Sequence, residues 1–214
     1  MAGGGDHRGR LIAFEGIDGC GKSTQARLLS ASLGALLTFE PGDTALGGLL
    51  RDLLLRSDGV ITARAEALLM AADRAQHVTD VVGPALAAGR WVVTDRFNGS
   101  TLAYQGAGRG LDVEALGQVI GFATAGLACD LSILVDVPVE VARDRIGASE
   151  PDRLERLDTG FHERVADGYR SIALSDPGHW AVIDGTGTRE EVAGAVAEVV
   201  ADRLGRPGRP GGSR

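Results

Sequence analysis

The feature that most constrains this chain is a glycine-rich segment, Gly16-Ile17-Asp18-Gly19-Cys20-Gly21-Lys22-Ser23, set between an apolar run and a stretch with helical spacing. It matches the pattern G-x-x-x-x-G-K-[ST], in which backbone N–H groups and a helix N-terminus hold nucleotide phosphates. Lys22 is also the only lysine among the 22 lysine and arginine residues. A phosphate loop needs a compact ammonium on a flexible stem, which arginine does not supply. The segment therefore predicts nucleotide binding.

Short apolar runs alternate with longer segments of helical spacing, a pattern typical of parallel strands buried between helices. The alternation predicts an α/β fold of the P-loop NTPase type: a doubly wound, five-stranded parallel sheet with helices on both faces. The predicted strands are Leu11–Glu15, Ala35–Glu40, Trp91–Asp95, Leu131–Asp136 and Trp180–Asp184. The predicted helices are Lys22–Leu33, Leu46–Arg56, Thr62–Ala88, Val113–Ala125, Val139–Ile146, Thr159–Leu174 and Arg189–Leu204.

Composition favours one cytoplasmic domain. The apolar content of 44% is enough for a full core, and two cysteines, Cys20 and Cys129, fit a reducing compartment. No signal peptide is visible, and no run approaches the roughly 18 apolar residues of a membrane span. The net charge of −7 disfavours nonspecific nucleic-acid binding. We expect a flexible N-terminus over 1–9, a folded domain over 10–205 and a disordered tail over 206–214.

The phosphate loop alone leaves three classes open: a kinase for a small acceptor, a hydrolase or motor, and a nucleotide-gated switch. A guanine-reading switch uses an Asn/Thr-Lys-x-Asp stretch, and the chain has no second lysine for it. It also lacks the Leu-Ser-Gly-Gly-Gln stretch of ABC-type ATPases, and it is short for a motor. The small-acceptor kinase is therefore the favoured class.

The segment from Asp95 to Gly106, Asp-Arg-Phe-Asn-Gly-Ser-Thr-Leu-Ala-Tyr-Gln-Gly, follows a predicted strand directly. It combines an arginine for phosphate, an aromatic ring, and hydroxyl and amide groups for base edges. Ligands of open α/β sheets bind beyond the carboxyl ends of the strands. The segment therefore favours a nucleoside monophosphate as acceptor.

Several motifs together resemble those of bacterial thymidylate kinases, and the resemblance covers roughly residues 10–205. In order, they are Phe14 to Thr24, Phe39-Glu-Pro-Gly42, Asp73-Arg74, the Asp95-to-Gly106 run and Asp152-Arg-Leu-Glu155. The pattern Asp-Arg-x-x-x-Ser-x-x-Ala-Tyr-Gln-Gly is specific to that family, whereas the phosphate loop is shared more widely. The resemblance implies transfer of the ATP γ-phosphate to dTMP, with Mg²⁺, in a homodimer.

The same resemblance implies the roles of individual residues. Lys22, Asp18, Arg96 and Arg153 are implied to be catalytic, with Asp18 meeting the sugar 3′-hydroxyl and Tyr104 crowding the 2′ position. Ser23 and Asp95 are the candidate Mg²⁺ ligands, Asp95 directly or through water. The residues expected at ATP are Gly16, Ile17, Asp18, Gly19, Cys20, Gly21, Lys22, Ser23, Thr24, Arg143 and Arg145. Those expected at dTMP are Asp18, Glu40, Pro41, Arg51, Met70, Arg74, Arg96, Ser100, Thr101, Tyr104 and Gln105.

A short segment of about residues 143–155 carries three arginines next to Gly, Ser and Pro, as expected of a lid that closes over phosphates. Some members of the resembled family place a catalytic arginine in the phosphate loop, where this chain has Gly19. The lid is then expected to supply it, with Arg153 the first candidate and Arg143 and Arg145 the next. An arginine placed at the transferred phosphoryl group accelerates the reaction by about 10³–10⁵.

Two positions depart from the resembled pattern. Phe39 replaces a frequent arginine, and Met70 replaces a phenylalanine that stacks on thymine. The thymine methyl contributes only about 1–3 kcal/mol in an apolar pocket, so dUMP is expected to be a poor substrate rather than an excluded one. Two alternatives stay open: another nucleoside monophosphate kinase, and a catalytically weak nucleotide-binding or regulatory protein.

Overall fold

The computed structural model describes residues 8–57, 59–147 and 151–205. Residues 1–7 of the predicted flexible N-terminus, the predicted tail 206–214 and positions 148–150 of the predicted lid lie outside the described residues. Gly9, at the start of the described part, is buried, and its N–H donates to the carbonyl of Leu86 over 2.9 Å.

A five-stranded sheet, parallel throughout, forms the centre of the molecule, as predicted. Its strand order is β2-β3-β1-β4-β5. Phe14 of β1 lies opposite Asp95 on one side and Ile133 on the other, so the carboxyl ends of the central strands meet at one edge. The strands are β1 (Leu11–Glu15), β2 (Leu36–Phe39), β3 (Val92–Asp95), β4 (Leu131–Asp136) and β5 (Trp180–Asp184).

Helices connect the strands. The predicted helix Thr62–Ala88 is three consecutive elements, because a π-helical segment, Val78–Val82, separates α3 from α4. The helices are α1 (Lys22–Leu33), α2 (Ala45–Arg56), α3 (Ala63–His77), α4 (Gly83–Ala87), α5 (Asn98–Thr101), α6 (Val113–Thr124), α7 (Val139–Ile146), α8 (Thr159–Ser175) and α9 (Arg189–Leu204). Among the described residues, none of these helices has the length and apolarity that crossing a membrane requires.

The segment from Asp95 to Gly106, called the acceptor segment here because it is expected to bind the phosphate acceptor, is helical from Asn98 onwards. The sequence pattern did not predict this helix. α5 runs directly into a π-helical segment, Leu102–Gly108. The buried carboxylate of Glu15 starts this helix by accepting hydrogen bonds from the backbone N–H groups of Phe97 (3.0 Å) and Ser100 (3.2 Å). A helix start needs such acceptors, and here the acceptor lies 82 residues earlier in the chain than Phe97.

Alternate residues of β1 pack into two different apolar clusters, as the two-residue period of a strand requires. Leu11 and Ala13 join Leu86 in one cluster, whereas Ile12 and Phe14 join the larger one. Both sets are completely buried. The central strand therefore holds the phosphate loop, which follows it directly, on a rigid base.

Candidate functional site

The phosphate loop turns sharply between β1 and α1. Gly16, Gly19 and Gly21 all have positive φ, of 140°, 82° and 98°. At Gly19 a Cβ atom would lie 2.1 Å from the carbonyl oxygen of Ala142 in α7, so only glycine fits there. Gly21 is the N-cap of α1. The loop therefore brings the helix N-terminus and successive backbone N–H groups to one place.

Lys22 is nearly completely buried at the first residue of α1. Its ammonium donates to Asp18 Oδ1 over 3.0 Å and to the Ile17 carbonyl over 3.4 Å. Ser23, the next residue, is exposed at the start of the same helix. A buried ammonium and an exposed hydroxyl at a helix N-terminus suit a bound polyphosphate.

Asp18 joins the loop to the acceptor segment. Its carboxylate accepts hydrogen bonds from Lys22, from the Arg96 guanidinium and, over 2.8 Å, from the Tyr104 hydroxyl. Burial acts to raise the pKa of Asp18, but the positive charges of Arg96 and Lys22 outweigh it and lower the pKa. Asp18 is therefore ionised and acts as an acceptor only.

Arg96 is fixed by several partners at once. Its backbone lies in the left-handed region, with φ of 75°, a conformation that costs a non-glycine residue about 1–3 kcal/mol. Besides Asp18, the guanidinium donates to the hydroxyls of Ser100 (3.0 Å), Tyr169 (3.2 Å) and Tyr104 (3.2 Å). These bonds aim the side chain at the space between the loop and the acceptor segment.

Glu15 supports this arrangement and was not singled out from the sequence. It accepts a 2.6 Å bond from the Ser100 hydroxyl and a 3.1 Å bond from the Tyr169 hydroxyl. Burial raises the pKa of Glu15. Its signal in the sequence is a carboxylate that ends an otherwise apolar run, since a buried charge needs several donors.

One cavity of about 600 Å³ opens beside the loop, and it contains all eleven residues that the sequence resemblance placed at dTMP. Four further residues line it that received no role from the sequence: Leu55, Asp73, Asp152 and Leu154.

Arg74 is held rigidly at the wall of this cavity. Its guanidinium donates to Glu40 (2.8 Å), to the Thr101 hydroxyl (2.8 Å) and to the Phe97 carbonyl (2.9 Å). The ring of His77 contacts the other oxygen of Glu40 over 2.8 Å. Arg74 and Glu40 are both buried and form an ion pair, so Glu40 fixes the orientation of the Arg74 guanidinium.

Arg51 and Asp73 hold the turn after β2. The Arg51 guanidinium donates to the Pro41 carbonyl over 2.7 Å and lies 5.8 Å from the Phe39 ring centroid. Asp73 Oδ1 accepts the N–H of Gly42 over 3.0 Å. Burial and the nearby Glu40 raise the pKa of Asp73 to about 6. Asp73 thus belongs to the site, and only its position before Arg74 pointed to it.

The lid arginines are bound to different parts of the chain. Arg143 donates to the Thr159 hydroxyl over 2.7 Å, and Arg145 donates to the carbonyls of Gly185 (2.9 Å) and Cys20 (3.4 Å). Arg153 donates to the Leu54 carbonyl (2.6 Å) and to Glu66 (2.7 Å). In the part of the chain that the structure describes, none of the three lines the cavity.

Asp95, at the end of β3, fits the predicted role at Mg²⁺. Its Oδ1 is buried and has no hydrogen-bond partner within the described ranges. An unpaired buried carboxylate oxygen is a hard, anionic donor of the kind Mg²⁺ takes, and Mg²⁺ sites commonly use only one or two protein ligands alongside phosphates. In keeping with such a sparse donor set, residues 8–57, 59–147 and 151–205 contain no cluster of three or more His, Cys, Asp or Glu side chains able to hold a metal.

Comparison with known proteins gives a consistent result. A family model described as thymidylate kinase matches residues 14–196. The thymidylate kinase of Trichlorobacter lovleyi is 43% identical over 210 residues, which cover 92% of this chain and 99% of that protein. That of Synechococcus sp. (strain JA-2-3B'a(2-13)) is 48% identical over 199 residues, 91% of this chain and 95% of that protein. The crystal structure of thymidylate kinase from Ehrlichia chaffeensis superimposes with a TM-score of 0.76 at 32% identity, covering 90% of this chain and 98% of that one.

Proposed function

The chain belongs to the thymidylate kinase family, and we propose that it transfers the γ-phosphate of ATP to dTMP, giving dTDP and ADP on the way to dTTP. The observation that carries this proposal is that the eleven residues expected at dTMP line a single cavity next to the phosphate loop.

ATP is held through the phosphate loop. The backbone N–H groups after Gly16 and the N-terminus of α1 bind phosphate oxygens, and Lys22 turns from Asp18 to the β- and γ-phosphates. A phosphate oxygen of dTMP then attacks the γ-phosphorus as the bond to ADP breaks. The acceptor is already an anion, so the protein supplies position and positive charge rather than a base.

dTMP lies in the cavity with its phosphate towards Arg96 and Arg51. Asp18 accepts the 3′-hydroxyl, and Tyr104, which donates to Asp18, occupies the space that a 2′-hydroxyl would need. The thymine ring packs against Met70. Its polar edge faces polar groups of the cavity lining, Arg74, Ser100, Thr101 and Gln105.

Ser23 and Asp95 would hold Mg²⁺ next to the phosphates. The ion, when bound, neutralises charge on the transferring phosphoryl group. Asp95 contributes its unpaired Oδ1, and Ser23 contributes an exposed hydroxyl at the start of α1.

The catalytic arginine of the lid stays a prediction. Arg153, the first candidate from sequence, contacts Glu66 and Leu54, so it would have to leave both to reach a phosphate. Arg145 contacts the phosphate loop directly, since its guanidinium donates to the Cys20 carbonyl.

A substrate panel tests the proposal. Turnover of dTMP, dUMP, dCMP, UMP and AMP is followed by coupled detection of ADP. We expect dTMP to have the highest kcat/KM, dUMP to follow as a poor substrate, and UMP to be slower because of Tyr104. Preference for AMP or dCMP would indicate another monophosphate kinase. Tight ATP binding without transfer to dTMP would indicate a regulatory protein.

We also propose the homodimer that the sequence resemblance implied. Exposed apolar side chains gather on α2, α3 and α6, among them Leu49 (70% exposed), Leu68 and Phe122 (91% exposed). Apolar surface of this kind is typical of subunit interfaces. Light scattering of the protein is expected to give twice the chain mass, and Phe122→Asp to halve it. Leu174→Asp, a matched change at an exposed position of α8, is expected to leave the dimer intact.

A cytoplasmic location is part of the same proposal. Cys20 and Cys129 are both free thiols in the structure. Free thiols are kept reduced in the cytoplasm, where ATP is also abundant. Fractionation of cells with an antibody to the chain checks this location.

A further inference from the structure

We propose that Glu66 is a positioning residue for the dTMP cavity. It connects the segment 151–157, through Arg153, to Gln105 in the lining of that cavity. This inference deepens the proposed function and rests on it. Glu66 lies in the first turn of α3 and is completely buried, yet it is not among the residues that line the cavity. It can therefore act on dTMP only through its neighbours.

Both oxygens of Glu66 accept hydrogen bonds from separate elements. Oε1 accepts from Gln105 Nε2 over 2.9 Å and from Arg109 Nε over 3.2 Å. Oε2 accepts from Arg109 Nη2 over 2.9 Å and from Arg153 Nη2 over 2.7 Å. One carboxylate thus joins α3, the π-helical segment before Arg109, and the segment 151–157, which begins within the lid.

The ionised state of Glu66 fixes the orientation of Gln105. Burial acts to raise the pKa of Glu66, but the bonds from Arg109, Gln105 and Arg153 lower it. A carboxylate accepts and does not donate, so Gln105 must turn its NH₂ group towards Glu66. Gln105 then offers its carbonyl oxygen to other donors. Thymine and uracil carry an N–H at ring position 3, whereas cytosine carries an acceptor there, so this orientation favours dTMP over dCMP.

Arg153 connects Glu66 to α2. Besides Glu66, it binds the last turn of α2: its Nε donates to the Leu54 carbonyl and its backbone N–H to the Leu55 carbonyl, over 2.6 and 3.0 Å. Carbonyls at a helix C-terminus lack partners within the helix, so this contact caps α2. The neighbours of Arg153, Asp152 and Leu154, line the cavity. Loss of the Glu66 contact would loosen that wall.

A double-mutant cycle between Glu66→Gln and Arg153→Met tests the proposal. Each variant is expected to raise the KM for dTMP by about tenfold, the size expected for a lost charged hydrogen bond, while kcat falls by less than about threefold. The KM of the double variant for dTMP is expected to be no higher than that of the more impaired single variant. Glu66→Gln is also expected to narrow the dTMP preference over dCMP. Arg156→Met is the matched control and is expected to behave like the wild type: Arg156 is an exposed arginine of the same segment, and among the described contacts its side chain binds only the Pro151 carbonyl.

Three results would overturn the proposal: additive effects of Glu66→Gln and Arg153→Met, an unchanged KM for dTMP, or a fall in kcat alone in Arg153→Met. The last would assign Arg153 to the transferred phosphoryl group. If Glu66→Gln does not fold, the cycle is run between Gln105→Met and Arg153→Met, which share Glu66 as a partner; coupling supports the relay and additivity rejects it. Turnover of dTMP by the wild type separates these outcomes from failure of the proposed function.

Discussion

The phosphate loop and the lid both carry basic side chains suited to phosphate, but they are constructed differently. In the loop, Lys22 is placed by the backbone of the residues just before it and bonds to Asp18, four positions away. In the lid, Arg153 bonds to Glu66, 87 positions away, and Arg145 to Gly185, 40 positions away. The backbone of the phosphate loop itself places the groups that bind phosphate, so the local sequence specifies the function. Charged side chains on a connecting segment do not specify their partners.

The largest expected effect tests the loop side of this comparison. Lys22→Met is expected to lower kcat by about 10²–10³, as does loss of a preorganised donor to developing negative charge. Lys22→Arg is expected to be nearly as inactive, because the planar guanidinium does not fit the space of the buried ammonium. Steady-state kinetics with ATP and dTMP check both. A Lys22→Arg enzyme of normal rate would show that charge alone, not the shape of the loop, defines the site.

A second effect tests the contact between the phosphate loop and α7, the helix that leads into the lid. Gly19 and Gly21 both have positive φ, but only at Gly19 would a Cβ meet the Ala142 carbonyl of α7. Gly21→Ala is expected to cost about 1–2 kcal/mol of stability from backbone strain alone. Gly19→Ala is expected to cost more, because α7 must also move. Urea denaturation of the two variants gives the difference, and equal losses would show that α7 does not support the loop.

A third effect concerns the acid of the acceptor cavity. The pKa of Asp73 is raised from 3.8 to about 6, so the folded state holds this proton more tightly than the unfolded chain does. That contribution to stability is present below about pH 4 and is lost as the pH rises through about 6. Asp73→Asn keeps an acceptor for the Gly42 N–H and does not titrate. Its Tm relative to the wild type is therefore expected to rise between about pH 4 and pH 7. A Tm difference that does not change with pH would show that Asp73 does not titrate in this range.

The smallest effect sharpens the acceptor side. Met70, half-buried at the cavity, packs on the base less rigidly than an aromatic ring. Met70→Phe is expected to lower the KM for dTMP by about two- to tenfold through ring stacking. The KM for dUMP should fall in parallel, since the ring faces both bases. A higher KM would indicate that Met70 fills space that phenylalanine overpacks.

Much of the fold could be predicted from sequence because its pattern is local. Apolar runs with helical segments between them gave β1, β4 and β5 with their observed bounds, and the sheet is parallel as expected. The helical character of the acceptor segment was missed. Gly99, Ser100 and Gly106 are not strong helix formers, and the acceptor that starts the helix, Glu15, is distant in sequence.

The candidate site shows the same division. Residues of compact motifs, such as Asp18 and Arg96, were singled out from the sequence, and the structure brings these two into direct contact. Glu66 belonged to no motif, and Asp73 belonged to one but received no role; the importance of both follows from burial and from partners that only the folded chain brings near. Long-range pairing of charged side chains is therefore the part that a single sequence does not encode in readable form.

The burial of Lys22 has a chemical consequence. The chain offers acylating reagents a single side-chain amine, that of Lys22, and this residue is only 6% exposed. Reagents that acylate many lysine side chains in most proteins would meet just one here, and it is shielded. The extent of acylation at Lys22 then reports whether a nucleotide occupies the loop.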